Sequence, residues 1–184
     1  MSVAGRLLVA TPPMNDPNFE RSVILMIRHD DDGAFGLVIS RPSDAQIADE
    51  GGTLAEWVDR TSPPSVLFDG GPVQQNTVIG LARFDDETDR SWTDPALTGV
   101  WTVDLGSDTS NARECFALRL FAGYSGWTSG QLEGEIAANH WFVVDFTPDD
   151  AFDAAPQTLW RRVLARDSAH RDWVRRFPDD PNQN

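Results

Sequence analysis

Apolar runs and polar, glycine- or proline-marked breaks alternate along the chain. Arg6 to Ala10 is apolar after its first residue and ends at Thr11-Pro12-Pro13, which predicts a strand stopped by prolines. Met14 to Asn18 reads as a polar loop. Ser22 to Arg28 and Ala34 to Ser40 are both rich in Val, Ile and Leu, and His29-Asp30-Asp31-Asp32-Gly33 lies between them. Two such runs around an Asp/Gly turn predict an antiparallel hairpin over residues 22 to 40, turning at Asp31 to Gly33. Residues 43 to 53 read as a loop and Leu54 to Asp59 as one or two helical turns. Val66 to Phe68 and Thr77 to Phe84 read as strands, Asp85 to Pro95 as an acidic exposed loop, and Gly99 to Leu105 as a further strand.

Cys115 to Gly123 fits two periods, a helical stripe through Ala112, Phe116, Leu120 and Tyr124 or a strand alternation through Phe116, Leu118, Leu120 and Ala122. The strand is preferred because a glycine-rich loop follows. Thr128 to His140 reads as a helix: Thr128 and Gln131 have capping-box spacing, Leu132 and Ile136 share a side, and Glu133 sits in the first turn. Trp141 to Phe146 reads as a strand. Ala155 to Asp167 reads as a helix with the stripe Leu159, Val163 and the stem of Arg166, and Asp167 to Phe177 as a second helix. The expected layout is one domain over residues 1 to 177 and a disordered tail from Pro178 to Asn184.

At 184 residues the chain can bury a core without metal or disulfide support. No apolar run approaches the roughly 20 residues of a membrane helix, so no membrane association is expected. Met1 to Gly5 lacks a basic region followed by an apolar stretch, and Cys115 is the single cysteine, so a cytoplasmic protein is expected. All fifteen basic residues are Arg. Without Lys, Schiff-base chemistry, P-loop binding and kinase-type ATP binding are excluded. The net charge of −14 opposes binding to phosphate backbones.

Candidate chemistry is sparse. Gly123-Tyr124-Ser125-Gly126-Trp127 falls one residue short of a nucleophile elbow and reads as a turn. His29 with its three Asp lacks the alternation of a calcium loop and reads as a solvated turn. Asp69-Gly70-Gly71-Pro72 lacks the basic residue of a phosphate cradle and reads as turn or packing geometry. Glu133 and Glu135 point different ways on a helix, whereas Gln131 and Glu135 share a face. Six Arg between Arg161 and Arg176 read as a solvated face paired with Asp167 and Asp172. No cofactor and no metal site is expected.

Four blocks carry a family pattern: Gly5 to Pro12 with Asp16 to Val23; Gly33 to Pro42; Gly70-Gly71-Pro72-Val73; and Gly123 to Trp127 through Gly130 to Ile136, closing at Trp141. In order and content they resemble the YqgE/AlgH family of bacterial proteins. One departure is Ser40, where the family commonly has Asn. The resemblance implies an α+β fold, a single domain with an antiparallel, barrel-like sheet and surrounding helices, in a bacterial cytoplasmic protein. It implies no chemistry. Some members are labelled transcriptional regulators, and exopolysaccharide synthesis is attached to the AlgH name, but no helix-turn-helix is visible here.

The reading favours a non-catalytic binding or regulatory module that recognises a protein or small ligand. The alternative is a hydrolase using Asp16, Asp69, Glu133 or Glu135 as general base. The expected binding surface lies where the first, third and fourth blocks meet, on Asp16, Arg21, Asp69, Gly70, Gly71, Tyr124, Trp127, Gln131 and Glu135. Arg21 would hold an anion, Tyr124 and Trp127 would offer aromatic faces, and the glycines, with Gly123 and Gly126, would let backbone approach closely.

Overall fold

A computed structural model describes residues 2–44, 55–84, 93–97, 99–106 and 115–171. The strands are β1 (Arg6–Ala10), β2 (Val23–Asp30), β3 (Gly33–Val38), β4 (Phe68–Asp69), β5 (Val73–Phe84), β6 (Thr93–Leu97), β7 (Val100–Val103), β8 (Cys115–Thr128) and β9 (Trp141–Asp145). The α-helices are α1 (Ala55–Val58), α2 (Gln131–Ala137) and α3 (Leu159–Arg166), with 3-10 turns at Pro148–Phe152 and Pro156–Thr158. The strands form one sheet in the order β6-β7-β5-β8-β3-β2-β1-β9, antiparallel throughout, with β4 added parallel to β8. The chain is a single α+β domain built on this antiparallel sheet.

The sheet is not a closed barrel, which corrects the barrel-like expectation. It curls, since Leu97 and Val100 at one end pack into the same core as Leu7 and Val144 at the other. No ladder joins β6 to β9 among the described residues. The chain leaving β9 enters the 3-10 turn Pro148–Phe152 instead of pairing. Ala151 of that turn is buried in the core, and Pro148 sits against Gly99. This turn is anchored by a capping box between Thr147 and Asp150, a motif the sequence reading did not pick out.

The curled inner face packs Leu25, Leu37, Phe68 and Phe121 against Leu159, Trp160, Val163 and Leu164 of α3. The outer face carries two smaller clusters. One is Ile24, Met26, Trp127 and Trp141 under Leu132 of α2, and the other is Trp57 of α1 with Leu118 and Leu120.

The predicted hairpin is present: β2 pairs antiparallel with β3 from Ile24↔Val38 to Asp30↔Gly33. Its alternation is interrupted by a bulge at Ile27, between Met26 and Arg28. A bulge re-aims the side chains beyond it. Arg28 therefore shares a face with Phe35, and His29 turns to the face covered by α2. His29 is buried in β2, not in a solvated turn as expected.

The preferred strand at Cys115 is correct, but it does not end at a glycine loop. β8 continues through Gly123-Tyr124-Ser125-Gly126-Trp127, pairing first with β5 and then with β3. Gly123, at φ 67, sits where the Gly70-Gly71 segment that follows β4 passes over β8. A Cβ on Gly70 would stand 2.3 Å from Gly123 O, and one on Gly123 would stand 2.6 Å from Gly71 O. These glycines serve backbone packing, as the turn-or-packing reading of that loop expects.

Other boundaries differ. Thr93–Leu97 is a strand where a loop is predicted as far as Pro95; residues 85–92 lie outside the described residues. The strand expected over Val66 to Phe68 is Phe68–Asp69. α2 begins at Gln131 behind Gly130, which is left-handed and provides no side-chain cap. Thr128 is the last residue of β8, so it does not cap the helix. The C-terminal helix begins at Leu159, and Arg166 reaches Asp150 instead of lying along the stripe. Arg162 pairs with Asp153, so Arg162 and Arg166 turn to acids other than the expected Asp167, which pairs with His170. The second C-terminal helix, its partner Asp172 and the tail fall on residues from 172 onward, outside the described residues.

Candidate functional site

Beyond the edge of the inner core the sheet face continues as an open groove of about 690 Å³. Its geometry follows from strand register. Arg28 of β2 stands opposite Phe35 of β3, and Phe35 stands opposite Gly126 of β8. Directly paired residues share a face, so the three form one row across the sheet. Tyr124 precedes Gly126 on the same face of β8, opposite Val73 of β5, and its ring lies 4.9 Å from that of Phe35. Ile27, Ala34, Trp127, Thr128 and Gln131 complete the wall.

Gly126 makes the concavity. It sits at a position where any other residue would project a side chain between Tyr124 and Thr128. The nearest atoms to a Cβ there would be those of the Tyr124 ring, at 3.3 Å, and Val73 Cγ2, at 3.9 Å. Its backbone lies outside the left-handed region, so the space is not a by-product of a strained turn. The walls are mostly aromatic and aliphatic. Arg28 is the one charged residue in them.

Three of the sequence-predicted site residues, Tyr124, Trp127 and Gln131, line the groove. Glu135 does not; it sits under the outer face. Its Oε2 accepts hydrogen bonds from Trp127 Nε1 at 2.9 Å and from Trp141 Nε1 at 2.8 Å, and its Oε1 accepts from Gln131 Nε2 at 3.0 Å. Gln131 Oε1 in turn accepts from Thr128 N. Phe19 packs on both indoles, with centroids 6.4 Å from Trp127 and 5.5 Å from Trp141. The first and fourth blocks thus do meet, through Phe19 and not through Asp16 or Arg21.

Asp16 Oδ1 accepts the backbone N–H of Asn18 in its own turn. Arg21 lies over the Trp160 ring at 5.8 Å and takes a left-handed φ of 52. Asp69 Oδ1 accepts the N–H of Gly71 at 3.3 Å. None of these three lines the groove. The expected convergence of Asp16, Arg21 and Asp69 with the aromatic pair does not occur: Asp16 and Asp69 are engaged by their own turns and Arg21 lies over Trp160. Ser125 is fully buried within β8 with its Oγ 3.4 Å from Gly70 O, a packing position and not an exposed nucleophile. Ser40, the departure from the family pattern, accepts the buried N–H of Val23 at 2.9 Å.

His29 ties three segments together. Its Nδ1 accepts the N–H of Val3 at 3.1 Å, so Nε2 carries the proton toward Glu133 Oε1 at 2.9 Å. The Glu133 carboxyl is held below its usual value, first by its own backbone N–H and then by His29. Among the described residues no group of three or more His, Cys, Asp or Glu side chains is placed to hold a metal ion.

Sequence reasoning missed Arg28, Phe35 and Val73 as wall residues, and read Gly126 as a close-approach glycine. Strict alternation would have put Arg28 on the other face; only the bulge brings it round. It also missed Arg119, which is buried in β8. Arg119 donates to the carbonyls of Pro63, Ala151 and Asp153 and stacks over Phe68 at 4.2 Å, and burial lowers its pKa to about 10.

A family model described as DUF179, AlgH-like, matches residues 7–170. A UPF0301 protein of Streptomyces coelicolor is 39% identical over 100% of this chain and 96% of its own length. One from Thermobifida fusca is 41% identical over the same shares. The crystal structure of a Corynebacterium diphtheriae protein superposes with a TM-score of 0.86 at 30% identity, covering 96% of this chain and 93% of that one. The solution structure of the AlgH protein from Pseudomonas aeruginosa gives 0.68 at 26% identity, covering 97% and 95%. The chain belongs to the AlgH-like family.

Proposed function

We propose that the protein is a non-catalytic binding module that takes a small ligand in the groove over Gly126. One observation carries the reading: an open, largely apolar groove whose floor is a side-chain-free position of β8. Its volume falls in the range of small-molecule sites, roughly 300–1,000 Å³. The reading is preferred over a carboxylate-dependent hydrolase because the candidate bases are engaged elsewhere. A general base benefits from a raised pKa, and Glu133 is shifted the other way. A bacterial cytoplasmic setting fits the single, buried Cys115.

The test fills the groove. Gly126→Val adds a branched side chain that suits a strand backbone. Binding of the neutral probe 2-naphthylmethanol would be followed by chemical-shift changes in both proteins, with thermal unfolding as a fold control. The expected result is saturable shifts at Phe35, Tyr124 and Thr128 in the parent and none in the variant, at matched stability. Probe binding that survives the substitution would overturn the proposal.

A further inference from the structure

We infer that the groove selects an organic anion with a flat apolar body, and that Arg28 is the residue that recognises the anionic group. The inference rests on the groove being a binding site and concerns the chemistry of its occupant.

The row Arg28–Phe35–Gly126 supplies the argument. Arg28 stands two strands from the floor, about 10 Å at the usual spacing of neighbouring strands. A planar body lying over Gly126 and against the contacting rings of Tyr124 and Phe35 would therefore direct a terminal substituent at the guanidinium, not at the glycine. Asp30 fixes that guanidinium. Its Oδ2 holds Arg28 Nε at 3.3 Å while its Oδ1 accepts the N–H of Asp32 in the hairpin turn. The contact is at the Nε edge, and neither Nη group of Arg28 makes a hydrogen bond among the described residues. They form a planar pair of donors, a match for a carboxylate or a similar oxyanion. Among the other polar wall groups, the Tyr124 hydroxyl can bond an acid and an alcohol alike, and Gln131 and Thr128 offer little competition. The Gln131 carboxamide is engaged at both ends, by Thr128 and by Glu135, and Thr128 Oγ is within 3.2 Å of Gln131 Oε1.

The hairpin tip opposes this selectivity, since Asp30, Asp31 and Asp32 all lie near Arg28 in sequence and none of them lines the groove. Screening at physiological salt acts over about 8 Å and weakens their reach more than it weakens a direct contact. Arg28 is 65% exposed at its side chain, so the expected preference is that of an exposed ion pair, about fivefold.

The experiment compares three probes with one ring system, 2-naphthoate, 2-naphthylmethanol and 2-naphthylmethylammonium, by calorimetric or chemical-shift titration. The proteins are the parent, Arg28→Met and Gly126→Val. The parent should bind naphthoate about fivefold tighter than the alcohol and the ammonium most weakly. Arg28→Met should abolish that preference, with naphthoate binding no tighter than the alcohol in the same variant. Equal binding of naphthoate and alcohol by the parent, or tightest binding of the ammonium, would overturn the assignment to Arg28 and leave the groove standing. Failure of all three probes to bind the parent, or retained binding by Gly126→Val, would overturn both readings.

Discussion

Glu135 shows how a residue can look like a site while serving the fold. Read along a helix, it shares a face with Gln131 beside two aromatics, which is the pattern of a pocket. In three dimensions its carboxylate is the common acceptor of two indole N–H groups, on Trp127 and Trp141, which are 7% and 3% exposed. Removing it strands two buried donors. Glu135→Ala should therefore lower the unfolding free energy by about 2–4 kcal/mol, measured by urea denaturation. Gln131→Ala, on an exposed residue, should lower it by less than about 1 kcal/mol. The folded Glu135→Ala protein should still bind 2-naphthylmethanol. Unchanged stability with lost probe binding would move Glu135 into the site. Sequence spacing identified the Gln131–Glu135 pair correctly. It could not reveal the pair's partners, because Trp141 lies on the next strand and Trp127 on the preceding one.

The helix that carries Glu135 has only seven residues, too few to be stable alone. Three attachments hold α2: Leu132 buried in the outer cluster, the Glu135–indole clamp, and the Glu133–His29 contact. Glu133 also makes the element sensitive to acid, through its own backbone N–H first and His29 second. A carboxyl whose folded pKa lies below its usual 4.5 stabilises the folded state above that value, and the contribution disappears as pH falls through the folded pKa. Urea midpoints of the parent and Glu133→Gln should therefore differ in favour of the parent near neutrality and converge as the pH drops below 4.5. A difference that stays constant across this range would show that Glu133 contributes through its position on the helix alone. The legibility of elements follows similar lines. The β2–β3 hairpin was readable because both runs are apolar and the turn has its own chemistry. β8 was readable only in part, since Gly123 and Gly126 resemble loop punctuation; one admits the backbone of Gly71 and Val73 and the other opens the groove. β6 was hidden by Pro95, which an edge strand tolerates.

At the scale of the whole molecule, a net charge of −14 sets what the surface can meet, but total charge alone does not exclude a local basic patch. The disposition of the Arg residues is therefore decisive. Arg6 pairs with Asp145, Arg28 with Asp30, Arg83 with Asp149, Arg162 with Asp153 and Arg166 with Asp150. Arg119 is buried. These six come from five separate elements and the cations among them that face solvent each have a carboxylate beside them, so they form no stripe that could track a phosphate backbone. Arg161, Arg162, Arg166 and Arg171, which look like a basic cluster in the sequence, are divided by these contacts: Arg162 and Arg166 turn to acids at Asp153 and Asp150, and Arg171 donates to the carbonyl of Ala165. Non-specific duplex binding by proteins that do have such a stripe has Kd values of roughly 10⁻⁴–10⁻⁶ M at physiological salt, driven by counterion release. This chain should be weaker than that range, so a fluorescein-labelled duplex should show no saturable anisotropy change up to about 10 μM protein in 150 mM salt. Lowering the salt should bring little gain, because few phosphates would be neutralised and the slope of log affinity against log salt scales with that number. Submicromolar binding with a steep salt slope would mean that the molecule gathers Arg side chains at a nucleic-acid surface, and the regulator label carried by some relatives would then describe direct contact with DNA.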